Sequence, residues 1–262
     1  MTASDELLAA YDAQLRTDAE TPSALTVKHL GALRLVTFSG GRGFITYQDL
    51  AGADRAQIER WVPEALDYYS QNPAIAKVEW KTRGHDHAPG LHEALLANGF
   101  IEEEPESIMI GAASALAVEV PLPEGITLRR VTKDADIRAM CAMQDLVFGE
   151  EPSAEYADAI VARAHRDPLF ELWVADHAGE IVSAGRLEPV PGTDFAGIWG
   201  GCTVESWRGQ GIYRALTAAR ASSALAQGYT LIHSDSTGYS RPILERYGFT
   251  KVSTTTPYVW KR

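Results

Sequence analysis

The sequence predicts an α/β protein made of two related units, each a mixed β-sheet flanked by helices. Three observations support this. Short runs of β-branched and aromatic residues alternate with amphipathic stretches along the chain. A seam around residues 112–124 lies in the stretch AASALAVEVPLPEG, with two prolines two positions apart and then glycine at 125, which is linker chemistry. Two passages also rhyme: LHEALLANGF at Leu91–Phe100 and RPILERYGF at Arg241–Phe249. Each is a short amphipathic helix ending in Gly-Phe between two strands, as an internal duplication would leave it.

Taken in order, Leu7, Leu8, Tyr11 and Leu15 space out an amphipathic N-terminal helix. Leu25–Val27, Leu33–Phe38 and Gly43–Tyr47 read as short strands between glycine-bearing turns. Arg55–Tyr69 is a helix with Ile58, Trp61, Val62, Ala65 and Leu66 on one side. A strand at Ala76–Trp80, a helix at Leu91–Ala97 and a strand at Ser107–Ile110 close the first unit, residues 1–115. The second, residues 122–262, opens with a strand at Ile126–Val131 and helices at Asp134–Val147 and Ser153–Ala164, with Asp134 and Ser153 as N-caps. Leu172–Asp176 and Ile181–Leu187 form a hairpin, and Phe195–Val204 follows as a strand. A long helix at Ile212–Gln227 should end on a left-handed Gly228. Tyr229–His233 is a buried strand and Ser240–Arg246 a short helix; Thr250–Val259 holds the last strand, where Pro257 argues for an edge.

Composition excludes several classes. With 45% hydrophobic residues the chain is not disordered, and a net charge of −11 argues against a nucleic-acid binder with a basic face. No stretch approaches the roughly 18 apolar residues of a membrane span. Met1–Asp18 lacks the basic start and apolar run of a secretory signal, so a cytoplasmic protein is expected. Cys141 and Cys202 are too few for a disulfide framework, and the histidines of Gly84–His92 have no zinc-type spacing, so no metal is expected. Oligomeric state stays open between monomer and homodimer.

The chemistry is concentrated in GCTVESWRGQGIYR, Gly201–Arg214, which leaves a strand and opens a helix. Glycines let main-chain N–H groups approach a pyrophosphate without Cβ collision, and the helix start offers unpaired donors and positive dipole. Arg208, Arg214 and Arg220 add positive charge to an acidic chain. The loop lacks the lysine of a nucleotide-hydrolase loop, and Arg214 stands where a dinucleotide fingerprint needs its third glycine.

Arg208-Gly209-Gln210-Gly211-Ile212-Tyr213 resembles the Gln/Arg-x-x-Gly-x-Gly/Ala loop of the GCN5-related N-acetyltransferase superfamily, and the resemblance extends over Ile126–Val259. It implies an acetyl-CoA-dependent N-acetyltransferase, with direct transfer to a small-molecule amine in a ternary complex. Gly201, Cys202, Thr203 and Val204 would pair with the pantetheine arm. Arg208, Gly209, Gln210, Gly211, Ile212, Tyr213 and Arg214 would hold the pyrophosphate. Tyr213 occupies the second Gly/Ala position, so its ring is expected to point away from the phosphates. The first unit looks like a degenerate copy, as in tandem members. Its matching loop, QDLAGADR, carries two aspartates that would repel a pyrophosphate, so it is not expected to bind CoA.

Acetyl transfer to an amine needs a proton acceptor, since an ammonium of pKa near ~10 is no nucleophile, and it gains from an acid for the leaving thiolate. Where many superfamily members place a tyrosine acid, this chain has Leu244. Tyr239 is the substitute acid, unless it is only a cap or wall residue. Glu188 and Asp235, at strand ends, are the candidate bases; Asp235 could equally cap the next helix, His233 reads as a core residue, and a water chain remains open. The acidic balance favours a cationic acceptor. The competing class is a non-catalytic acyl-CoA-binding sensor or regulatory module, which the leucine at 244 keeps alive.

Overall fold

A computed structural model describes residues 2–262; Met1, which begins the segment read above for a signal, lies outside them. The first elements are α1 (Ala3–Gln14), β1 (Thr26–Leu30), β2 (Leu33–Phe38), β3 (Arg42–Thr46), α2 (Arg55–Ser70) and β4 (Lys77–Arg83). Then come α3 (Leu91–Ala97), β5 (Ile101–Glu102), β6 (Glu106–Ala112), α4 (Ala113–Leu116), β7 (Ile126–Arg130), α5 (Asp134–Phe148) and α6 (Ala154–Arg166). The chain ends with β8 (Glu171–His177), β9 (Glu180–Pro189), β10 (Phe195–Thr203), α7 (Ile212–Ala226), β11 (Leu231–Ser236), α8 (Arg241–Arg246) and β12 (Thr250–Lys261). No described helix is long and apolar enough to cross a membrane.

Local chemistry accounts for most boundaries. A capping box starts α1: Asp5 donates its N–H to Thr2 Oγ1, and the Asp5 carboxylate accepts from Thr2 N. Ser153 caps α6 by accepting the N–H of Tyr156, and Gly228 ends α7 at φ 91°. The cap expected at Asp134 is displaced by one residue. Lys133 stands at the N-cap, and the Asp134 carboxylate lies 2.8 Å from His165 Nε2.

Two compact units result, but not by a single cut. The first runs to Met109 and adds Asp235–Pro242 and Lys251–Arg262; the second comprises Ile110–Ser234 and Ile243–Thr250. A division at 115/122 leaves every C-terminal residue in the second unit. Instead β12 joins the first, pairing antiparallel with β4 from Thr255–Arg83 to Lys261–Lys77. The edge reading of Pro257 is corrected with it, because β12 has β4 on one side and β5 on another. Pro257, which has no N–H to donate, still accepts the Glu103 N–H at 2.9 Å.

The first unit orders its strands β1-β2-β3-β4-β12, with β3 and β4 parallel. Its core packs Ile58, Val62 and Leu95 with Trp80 and Tyr258. The second unit orders its strands β7-β8-β9-β10-β11, with β10 and β11 parallel. Ile137, Met140 and Val174 fill one of its clusters; Leu216 and Val182 belong to another. Both units thus join a parallel pair through one helix (α2 or α7) and follow it with a short helix, α3 or α8. Those short helices end alike. Phe100 N–H bonds Leu95 O and Gly99 N–H bonds Leu96 O; Phe249 N–H bonds Leu244 O and Gly248 N–H bonds Glu245 O, all at 3.1 Å. Gly99 and Gly248 take φ 82° and 102°, the left-handed geometry such a stop requires. Leu244 therefore corresponds to Leu95, a buried packing position in each helix.

Candidate active site

The second unit opens where its parallel strands part. Registered pairing of β10 with β11 covers Phe195–Leu231 to Gly197–His233, while β10 continues to Thr203. Its pairing with β9 shifts register between Trp199 and Cys202, and Gly200 sits there at φ 58°. Such a bulge bends and twists a strand away from its neighbour. Buried Gln144 on α5 donates to the Gly200 carbonyl at 2.6 Å and holds the bend. Strand β10 thus leaves a stretch of main chain, Ile198–Thr203, beyond its last registered pair with β11.

At the end of β10, Arg208 Nε donates to Thr203 O at 3.0 Å and folds the loop back on the strand. Gly209 and Gly211 adopt φ 75° and 82°. Gly211 is the N-cap of α7 and offers no side-chain cap, so the first-turn donors face outward from the helix mouth. Ala215 makes the first bond of the helix, back to Gly211 O. The Tyr213 ring turns toward β10: a Cβ on Gly201 would stand 2.7 Å from it. Arg214 lies over the Tyr247 ring at 5.4 Å. Arg220 does not serve the loop. It is buried against the sheet, donating to Arg186 O, and a Cβ on Gly185 would collide with it.

The corresponding features of the first unit are closed. Asp54 caps α2 by accepting the Gln57 N–H at 2.8 Å, so a carboxylate stands where the second unit leaves donors open. Pairing of β3 with β4 ends at Ile45–Trp80, and the N-terminal segment fills the space beyond. Glu20 bonds Thr46 Oγ1 at 2.7 Å and the Arg83 guanidinium; Arg16 bonds Tyr47 O at 3.3 Å and forks onto Asp86.

One face of the second unit's sheet carries polar chemistry beside the parting strands. Glu188 pairs with Gly197, and Gly197 with His233, in the last registered row. A Cβ on Gly197 would lie 2.4 Å from Trp199 Nε1, so only glycine lets that indole cross. His233 stands edge-on to Trp199 and to Phe195, at 5.3 and 5.8 Å. Arg186 donates from Nε to Glu188 at 3.1 Å and from Nη1 to Tyr156 OH at 2.7 Å. Arg163 reaches the other Glu188 oxygen at 2.7 Å and stacks on Phe170. Burial raises the Tyr156 pKa, with the Arg186 charge opposing it, so the phenol stays protonated near neutrality. A cavity of about 740 Å³ adjoins the loop at Val204, Glu205 and Arg208, walled by Met143, Leu146 and Ile181.

The sequence candidates scatter. Gly201–Val204 and Arg208–Arg214 are contiguous with the bulged strand and the open helix mouth. Glu188 lies at the last registered row, its carboxylate divided between two arginines. Asp235 belongs to the first unit, where it is buried and bonded to Lys81 at 2.7 Å. Tyr239 also belongs to that unit and is 75% exposed. Leu244 is 1% exposed and has no proton to give. Sequence reading missed Tyr156, Arg163, Arg186, Trp199 and Gln144. A signal existed for some: Arg186 and Glu188 are two apart on a strand, and Tyr156 and Arg163 two turns apart on a helix, so each pair shares a face.

In the second unit a parting parallel pair, a bulged strand and an uncapped helix mouth lie together. Residues 141–258 match the family model described as the acetyltransferase (GNAT) domain. The matched stretch makes up less than half of the chain, and the likeness to GCN5-related N-acetyltransferases is a likeness of that stretch. Among solved structures, a GCN5-related N-acetyltransferase from Kribbella flavida shares the fold over 99% of this chain and 96% of its own, with a TM-score of 0.68 at 16% identity. A tandem GNAT protein from the clavulanic acid biosynthesis pathway covers the same shares, with a TM-score of 0.66 at 15% identity. A third, from Sphaerobacter thermophilus, matches 87% of this chain and 76% of its own at 17% identity, with a TM-score of 0.65. At such identities the likeness is one of fold. No curated protein matches the sequence.

Proposed function

We propose that this protein is an acetyl-CoA-dependent N-acetyltransferase that passes the acetyl group directly to a small-molecule amine. The observation that carries the reading is the mouth of α7: two left-handed glycines, no side-chain cap and donors facing outward, directly after a strand that has parted from its neighbour. That cradle suits a diphosphate because N–H groups and helix dipole favour the same anion. Main-chain groups of Arg208–Arg214 would hold the pyrophosphate, and Gly201–Val204 would line the pantetheine arm. Acetyl-CoA would supply an acyl group already activated as a thioester.

The protein's own residues would then orient and manage protons. Cys202 is a poor acyl carrier: burial pushes its thiol up to about 11, so little thiolate exists near neutrality, in keeping with direct attack. The Glu188 carboxylate is already shared by two guanidiniums, and Asp235 is similarly committed to Lys81. The amine's proton would therefore leave through water, and orientation would supply much of the rate. Tyr156 would serve as acid for the departing thiolate within the same unit, in place of the phenol that position 244 lacks; exposed Tyr239 is the alternative.

Leu244 favours a second reading, a non-catalytic acyl-CoA-binding module. Titration calorimetry with acetyl-CoA, followed by CoA release over an amine panel, separates the two. Binding with turnover supports the enzyme, binding without turnover the sensor, and no binding refutes both.

A further inference from the structure

We infer that the acceptor amine carries an anionic group, carboxylate or phosphate, held by Arg163 and Arg186. This rests on the proposed function and extends it to substrate class. With a pantetheine arm along Ile198–Thr203, the thioester would sit near the last registered row, Glu188–Gly197–His233. An acceptor must then approach from one face of the sheet. The α7 face is closed there, because Arg220 packs against Gly185 and Tyr213 against Gly201. The opposite face, under α5 and α6, carries Trp199, His233, Tyr156, Arg186, Glu188 and Arg163.

Two guanidiniums share the Glu188 carboxylate on that side, where buried Asp145 of α5 adds a second negative charge near Tyr156 and Arg186. The arginines are nevertheless not used up. Glu188 and Tyr156 occupy Nε and Nη1 of Arg186 and Nη2 of Arg163. Among the described residues, Nη2 of Arg186 and the remaining nitrogens of Arg163 have no such partner. The side chains are 18% and 34% exposed, and Phe170 holds the Arg163 plane. A pinned, planar guanidinium with spare N–H groups suits a carboxylate or phosphate oxygen pair. Trp199 and His233 wall the same row with aromatic surface.

The test uses the full chain, acetyl-CoA and matched acceptors: amino acids against their methyl esters, phosphoethanolamine against ethanolamine, and spermidine as the cationic control. CoA release should give the charged member of at least one pair a kcat/KM about 10-fold or more above its neutral partner, and whether that pair is the carboxylate or the phosphate one identifies the anion. Arg163→Gln should lower kcat/KM for the anionic acceptor by roughly 10- to 100-fold through KM, leave the neutral partner within about twofold, and leave acetyl-CoA affinity unchanged. Arg163→Lys, which keeps charge but loses the fork, should fall between. Preference for neutral or cationic amines, or an equal loss on both acceptor types, overturns the inference. Acetyl-CoA binding with every anionic acceptor silent overturns it while leaving the cofactor site standing; failure of acetyl-CoA to bind removes the underlying reading too.

Discussion

The Asp54 carboxylate accepts the Gln57 N–H at 2.8 Å, at the helix start that corresponds to the uncapped Gly211. One of the two corresponding turns is capped by the chain's own carboxylate, and the other has no side-chain cap. Calorimetry should therefore find one acetyl-CoA per chain. Asp54→Ala should cost about 1 kcal/mol in stability, the usual worth of such a cap, without raising that stoichiometry. A second equivalent bound by the wild type would show that the first unit's mouth is open after all.

Gly211 tests the other copy. A Cβ there meets nothing closer than 3.9 Å, but the residue sits at φ 82°. Gly211→Ala should therefore lose roughly 1–2 kcal/mol through backbone strain rather than collision, and acetyl-CoA affinity should fall with it as the loop relaxes. Gly211→Val should abolish cofactor binding while circular dichroism still reports a folded chain. Undiminished binding by the valine variant would move the pyrophosphate elsewhere.

Elements whose chemistry is local were legible in the sequence. Hydrophobic spacing located α2, Gly228 marked the end of α7, and the Gly-Phe endings announced the stops of α3 and α8. The uncapped start of α7 was readable for the same reason, since a glycine pair before a helix is a local signature. What depends on pairing between distant strands was not. Nothing in TTTPYVW says that its strand will pair with residues 77–83, and Pro257 pointed the wrong way because its carbonyl, not its missing N–H, does the bonding. The polar face escaped notice because Tyr156, Arg186 and Trp199 meet only once register is set.

Cys202 separates direct transfer from an acyl-cysteine route. It is 6% exposed, and its thiol is raised to about 11 by burial. Iodoacetamide at neutral pH should label it slowly, with electrophile incorporation followed by mass spectrometry. Cys202→Ala should keep kcat within a few-fold of wild type, the small loss coming from its packing against Met143. Loss of all turnover in a folded alanine variant that still binds acetyl-CoA would require a covalent step.

Glu20 should set the acid limit of the first unit. Burial disfavours its charge, but Arg83, Lys81 and the Thr46 hydroxyl outweigh that and hold its pKa below the ordinary 4.5. A carboxylate with a lowered folded pKa contributes stability above its unfolded pKa and loses it as pH falls through the folded one. Thermal unfolding should therefore show Tm steady near neutrality and dropping below about pH 4.5. Glu20→Gln keeps the bond to Thr46 but leaves the buried Arg83 without its charge partner, which should cost roughly 3–5 kcal/mol at pH 7. The variant should also lose part of the acid-limb slope, because the group that titrated there is gone. A variant as stable as wild type at neutral pH, with the same slope below pH 4.5, would show that the ion pair contributes nothing to the fold.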